Sequence, residues 1–184
     1  RPGPVLIDIP VDVEVAKHKV DEKVEMKLPG YKIKQKGHKR QISMVAKAIN
    51  DARKPVLYVG GGIISSNASS ELAKAADKAH LPVTMTLLGL GSFDQTREES
   101  LDMLGMHGTA YANYAVQQCD LLIAVGARFD DRVTGKLKTF APHAKIIHID
   151  IDPASISKNV RVDIPVVGDA KEILCELLNE LEHR

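Results

Sequence analysis

Apolar residues along this chain gather in short unbroken runs, separated by glycine-rich turns and by stretches of helical spacing. Five runs stand out: PVLYV at 55–59, PVTMT at 82–86, LLIAV at 121–125, KIIHIDID at 145–152 and DIPVVGD at 163–169. Between them the period changes from a run to a stripe. Ile42, Val45, Ala46 and Ile49 recur at helical spacing in QISMVAKAINDA, and this helix should stop before Pro55. A second helix is predicted from about Ser69 to His80, with Leu72, Ala75, Ala76 and Ala79 facing inward. A third begins at Thr109, a residue suited to the N-cap, and buries Ala112, Ala115 and Val116. Pro153 fits the first turn of a short helix. AKEILCELLNELEH closes the chain with Ile173, Leu174, Leu177, Leu178 and Leu181 on one face, and the stretch from LLGLG to about Met103 reads as a loop.

Strand, glycine turn and helix, repeated, define an α/β fold. Runs without polar alternation suit strands covered on both faces, hence a doubly wound, Rossmann-like parallel sheet. The first 39 residues read differently. VLIDI at 5–9 is a short apolar strand closed by Pro10. Residues 11–39 are Lys-rich, hold Pro29, Gly30 and Gly37, and show no sustained period, as expected of an extended connector. The chain opens on Arg1 rather than Met, as a piece of a longer protein would. The expected division is a short strand at 1–10, a connector at 11–39 and an α/β domain at 40–184.

Composition narrows the function. With 184 residues, 44% hydrophobic, and a net charge of +1, the chain can bury one good core but carries no bulk attraction for nucleic acid or anionic membranes. KIKQKGHKR at 32–40 is its densest basic stretch and reads as a solvated linker. No apolar run reaches transmembrane length, and no signal-peptide pattern is present. Cys119 and Cys175 lack metal-ligand spacing and read as small core residues in a reducing, cytoplasmic setting. The absence of Trp argues against an aromatic ligand box.

In a doubly wound sheet the ligand crevice lies beyond the carboxyl ends of the strands. Gly60, Gly61 and Gly62 follow the first run, where missing side chains let a ligand approach the backbone. The same glycines also suit a bare tight turn. Thr86, Leu87 and Leu88 follow the second run, and Gly126 and Arg128 the third. Asp150 ends the fourth, placed either to accept ribose hydroxyls or to cap the helix near Pro153; Gly168 and Asp169 end the last. Arg128 suits a pyrophosphate, or alternatively a surface ion pair with Asp130 or Asp131. His107 precedes a helix without an evident nucleophile or carboxylate to address it. These features point to a nucleotide or dinucleotide site and to no metal.

Three longer segments, RPGPVLIDIPVDV, MLGMHGTAYANYAVQQCDLLIAVGARFDDRVTGK and FAPHAKIIHIDIDPASISKNVRVDIPVVGDAK, resemble the catalytic subunit of the acetolactate (acetohydroxyacid) synthase family. The resemblance covers essentially the whole chain and implies that 40–184 is the middle of three domains, the one that binds FAD, with 1–10 the terminal strand of the preceding domain and 11–39 the interdomain connector. It implies FAD contacts at Gly60, Gly61, Gly62, Thr86, Leu87 and Leu88, then at Leu104, Gly105, Met106 and His107. A third group is Gly126, Ala127, Arg128, Asp130, Arg132 and Val133, and a last one Asp150, Ile151, Asp152, Gly168, Asp169 and Ala170. Arg132 resembles the family arginine that reaches the active-site channel near the second 2-keto acid. Ser155 stands where the family commonly has Glu beside FAD.

The family's thiamine diphosphate and Mg2+ belong to the outer two domains. There the thiamine carbanion adds to pyruvate, CO2 leaves, and a second 2-keto acid is attacked, feeding branched-chain amino acid synthesis. The resemblance therefore implies a thiamine-diphosphate-dependent transferase as parent and a fragment that is silent by itself. It also implies partners among the other domains of its own chain, a homodimer or tetramer, and a regulatory small subunit. Two other classes remain open at this stage: an NAD-binding domain of another enzyme, and an assembly domain that binds nothing. Flavin absorption or NAD binding would separate them.

Overall fold

Long-range apolar contacts, rather than local propensity, hold most of these short elements, and the computed structural model describes them over residues 3–19, 23 and 33–183. Residues 1–32 and 33–184 form two separate units. In the first, 5–9 forms no strand; Val5, Leu6 and Ile7 are largely exposed. A strand needs a hydrogen-bonded neighbour to exist as one, and none pairs with it among the described residues. The stretch expected to be wholly extended instead holds one turn and a half of helix, α1 (Val11–Val15), whose first N–H groups at Val13 and Glu14 donate to the Pro10 carbonyl. Of the connector at 11–39, residues 20–22 and 24–32 lie outside the described residues.

In the second unit the elements run α2 (Lys39–Asp51), β1 (Pro55–Val59), α3 (Gly61–Ser65), α4 (Ser69–Ala79), β2 (Val83–Met85), β3 (Ser100–Met103) and α5 (Ala110–Gln118). They continue with β4 (Leu121–Val125), α6 (Asp131–Thr134), β5 (Lys145–Asp150), β6 (Ile164–Val167) and α7 (Ala170–Leu178). The sheet is wholly parallel with order β3-β2-β1-β4-β5-β6. The chain reverses its direction of winding between β1 and β4, where Val59 pairs with Val125. That is the topological switch point, the place beyond whose strand ends doubly wound sheets bind their ligands.

Alternate residues divide the sheet into two faces. Leu57, Val59, Ile123, Val125, Ile147 and Ile149 face the stripes of α2, α4 and α7. Val56, Tyr58, Leu122, Ala124 and Ile146 face α5 and the rings of Phe129 and Phe140. The expected stripe of α2 is buried as read, and so are Leu72, Ala75, Ala76 and Ala79 of α4. Thr109 caps α5 through its hydroxyl, 3.2 Å from the Ala112 nitrogen.

Four expectations change. The loop before Met103 contains β3, an edge strand of half-buried residues whose charged sequence hides its pairing. Short helices α3 and α6 are too brief to show a period. α7 stops at Leu178, yet Leu181 remains buried just beyond it. Cys175 is exposed, because its position on α7 turns outward between Leu174 and Leu177; Cys119 is buried as expected.

Candidate functional site

The carboxyl ends of β1 and β4 are locked together by glycines. The Gly60 N–H donates to Val125 O at 3.1 Å and the Gly62 N–H to Gly126 O at 3.0 Å. A methyl group on Gly62 would lie 2.5 Å from the Gly126 Cα, and Gly126 itself has φ +58. A methyl group on Gly126 would in turn lie 2.6 Å from the Gly62 Cα, so neither position has room for a side chain. Thus the space left by Gly60 and Gly62 is filled by the β4 turn rather than left for a ligand, and the N–H groups of both glycines are already bonded. Gly61 faces the Leu88 backbone.

The turn after β2 closes on the same point. Thr86 N–H donates to Val59 O, the Thr86 hydroxyl accepts from Gly89 N–H at 3.0 Å, and a 3-10 turn spans Leu87–Gly89. Leu87 and Leu88 stand 69% and 77% exposed, an apolar lip on an otherwise polar edge. After β3, Leu104 is buried, Gly105 takes φ +94, and Met106 and His107 are exposed.

GARFDDRVTG, following β4, is held from beneath by three side chains gripping three consecutive carbonyls. His148 Nε2 lies 2.8 Å from Ala127 O, Tyr58 Oη donates to Arg128 O at 3.0 Å, and Asn159 Nδ2 donates to Phe129 O. Because a carbonyl only accepts, His148 carries its proton on Nε2. The Phe129 ring packs 5.7 Å from that of Tyr58 and 5.2 Å from that of His148. Burial holds the Tyr58 phenol far above its ordinary pKa, so it donates at any physiological pH.

Above this support the charges point out. Arg128 Nη2 pairs with Asp130 Oδ2 at 3.0 Å, with the guanidinium side chain 66% exposed. Asp130 also caps α6, accepting from Arg132 N–H at 3.2 Å; that hydrogen bond, with the Arg128 charge, holds its carboxyl below the usual range. The surface-pair alternative for Arg128 is therefore realised. Such an exposed pair is weak and screened by salt, so an incoming diphosphate can compete for the arginine. Asp131 and Arg132 are exposed and Val133 is half-buried.

The last two strand ends are more closed. Asp150 is 5% exposed and accepts from Asp152 N–H at 2.8 Å. The cap of the short 3-10 turn at Pro153–Ser155 is Asp152, which accepts from Ala154 N–H, and not Asp150. Ile151 and Asp152 are half-buried beside it. Ser155 donates to Asp152 Oδ2 at 3.2 Å. Gly168 packs on the Gln35 backbone, and Asp169 caps α7 through Lys171 and Glu172 N–H groups, with Ala170 buried behind.

The candidate ligand residues follow the carboxyl ends of the strands, with Gly168–Ala170 at the far end, and Leu104, Ala127, Asp150 and Ala170 among them are buried. Tyr58, His148 and Asn159 were missed. A signal for two of them existed: each is a lone polar ring within an apolar strand, and both register with Ala124, which leaves room for Phe129. No group of three or more His, Cys, Asp or Glu residues suited to a metal occurs among the described residues, and no described helix is long and apolar enough to cross a membrane.

Residues 42–177 match the family described as thiamine pyrophosphate enzyme, central domain. The chain is 54% identical over 186 residues to a probable acetolactate synthase large subunit of Methanocaldococcus jannaschii, covering 98% of this chain and 31% of that protein. It is also 54% identical to an acetolactate synthase of Mycobacterium leprae and 53% to the large subunit of Corynebacterium glutamicum, covering 29% and 28% of those proteins. The chain thus spans about three tenths of the length of these curated relatives. Its parallel sheet and these matches agree: the chain belongs to the central-domain family of the thiamine pyrophosphate enzymes and is homologous to the large subunit of acetolactate synthase.

Proposed function

We propose that this chain is the FAD-binding central domain, at 40–184, of an acetolactate synthase. The observation that carries the reading is Arg128, exposed at the switch point on a loop whose backbone is fixed by Tyr58, His148 and Asn159. A fixed cation at the carboxyl end of a central strand suits a diphosphate, with little ordering left to do on binding. Leu87, Leu88 and Met106 supply apolar surface of the kind a flat ring system covers. Asp152, half-buried after β5, is the carboxylate we place toward an adenosine end, with its N–H held by the buried Asp150. FAD supplies a flavin ring whose redox chemistry the overall condensation does not require, so its role is structural.

The parent enzyme, on this reading, condenses pyruvate with pyruvate or 2-oxobutyrate and releases CO2, using thiamine diphosphate and Mg2+ held by its other domains. Arg132 is the residue we place toward the acceptor keto acid, where a cation offsets the substrate carboxylate. Its partners are the other domains of its chain, a second copy, and a regulatory small subunit. Residues 1–10 and 11–39 are the preceding domain's last segment and the connector. By itself the chain is inactive.

A second reading, a domain that binds nothing alone, draws on the Gly60 and Gly62 N–H groups already bonded to the β4 turn. Calorimetric titration with FAD, and with ADP and NAD as comparators, separates the two. Saturable binding of FAD and ADP but not NAD, lost in Arg128→Ala, is the expected result. Binding of none supports the second reading, and binding of NAD alone overturns both.

A further inference from the structure

The loops after β3 and β4 are separate in sequence but share one hydrogen-bonded seam. Met106 N–H donates to Arg132 O at 2.9 Å. Gly105 lies flat against that carbonyl: a methyl group at Gly105 would sit 2.6 Å from Arg132 O and 3.0 Å from the Val133 Cα. Gly105 is held there by the side chain of Asn113, from α5, together with the Gly108 N–H, which donates to the Gly105 carbonyl at 3.0 Å. Its Oδ1 accepts from Gly105 N–H at 3.0 Å, and its Nδ2 donates to Gly105 O at 3.1 Å and to Thr109 O at 3.0 Å. The amide orientation is fixed by chemistry, since turning it over would oppose two N–H groups and leave two carbonyls facing an oxygen. Both backbone groups of a left-handed glycine are thus held by one side chain, and that side chain is anchored to its own helix.

We propose that Asn113 is a positioning residue that ties the Met106–His107 loop to the Arg132 loop, so that both strand ends meet a bound cofactor as one rigid unit. The proposal deepens the FAD reading and rests on it for its consequence, though the seam itself exists without any ligand. Met106, His107, Asp131 and Arg132 are all exposed, while Leu104 and Val133 beside them pack against the core. Between those anchors the loops meet through the Met106–Arg132 backbone hydrogen bond, which depends on Gly105 staying where Asn113 holds it.

The test is amide hydrogen exchange of this chain, resolved residue by residue by NMR. It compares wild type with Asn113→Asp, which keeps the acceptor and loses the two donated bonds, and with Asn113→Ala. Met106 N–H should be protected in the wild type and lose about tenfold or more of that protection in both variants. Ile123, in the centre of the sheet, should keep its rate. Unchanged Met106 exchange in either variant overturns the proposal, as does an equal loss at Ile123, which would mean general destabilisation. Should neither variant fold, an unprotected Met106 in the wild type overturns it equally. FAD titration of the same variants gives the consequence: about tenfold weaker binding with the sheet intact. If wild type binds FAD and the variants bind it as well, Asn113 does not position the site. If wild type binds no FAD, the cofactor reading fails while the exchange result still decides the seam.

Discussion

Tyr58 and Arg128 meet hydroxyl to carbonyl at 3.0 Å, so a side chain inside β1 fixes the backbone from which the site's arginine projects. Removing that hydroxyl in Tyr58→Phe leaves the ring packing with Phe129 intact. It also leaves the Arg128 carbonyl its second donor, the Asp130 N–H. The expected cost is one buried hydrogen bond, about 1 kcal/mol, or roughly 2–4 °C in Tm for a domain of this size. Thermal denaturation checks this, and a change below the error of the scan would count against the support assigned to Tyr58.

The three consecutive glycines at 60–62 are not equivalent. Gly62→Ala places a methyl 2.5 Å from the Gly126 backbone, whereas Gly61→Ala meets Leu88 O only at 3.2 Å. The first substitution should destabilise by about 1–3 kcal/mol or more through overpacking against main chain that cannot yield. The second should cost less than about 1 kcal/mol, since alanine also favours the helix that starts there. Denaturant titration of both variants measures the difference, and equal midpoints would show that the β1 and β4 turns do not pack as described.

Asp169 closes the first turn of α7 with its side chain, accepting from Lys171 N–H at 2.9 Å. Asp169→Ala should lose about 1 kcal/mol, while Asp169→Asn or Asp169→Ser should retain most of it. Because α7 packs on α2 and α4, the loss should appear in the global unfolding transition rather than as local fraying.

The two cysteines should differ sharply toward thiol reagents. Cys175 is exposed, while Cys119 is buried and its thiol pKa is pushed up from 9.0 to about 12, first by burial and then by the Asp120 charge. At pH 8 one equivalent of reagent should add rapidly, and the second only on unfolding. Linkage carries a sign: the unfolded thiol ionises first, so the stabilising contribution is complete below about pH 9 and declines toward about pH 12. Stability measured across that alkaline window should fall less in Cys119→Ala than in wild type.

What the sequence determined by itself was everything that repeats locally: the apolar runs, the helical stripes and the turn after each run. From those followed the parallel sheet and the edge on which Gly60, Gly126, Arg128 and Asp150 would gather, because a parallel sheet puts all its carboxyl ends on one side. The family motifs then sharpened the same residues. What only the tertiary structure decided were the relations between distant segments. β3 exists because β2 offers it a partner, whereas 5–9, with a more apolar sequence, forms no strand. Gly60 and Gly62 serve first to let two turns touch, which no spacing rule distinguishes from a phosphate cradle. Tyr58, His148, Asn159 and Asn113 act on carbonyls between 4 and 70 positions away, and their partners are backbone atoms, which leave no trace in residue identity. Local periodicity follows from each residue's own neighbours along the chain. Support of a loop is a pairing of surfaces, fixed only when the whole sheet has closed.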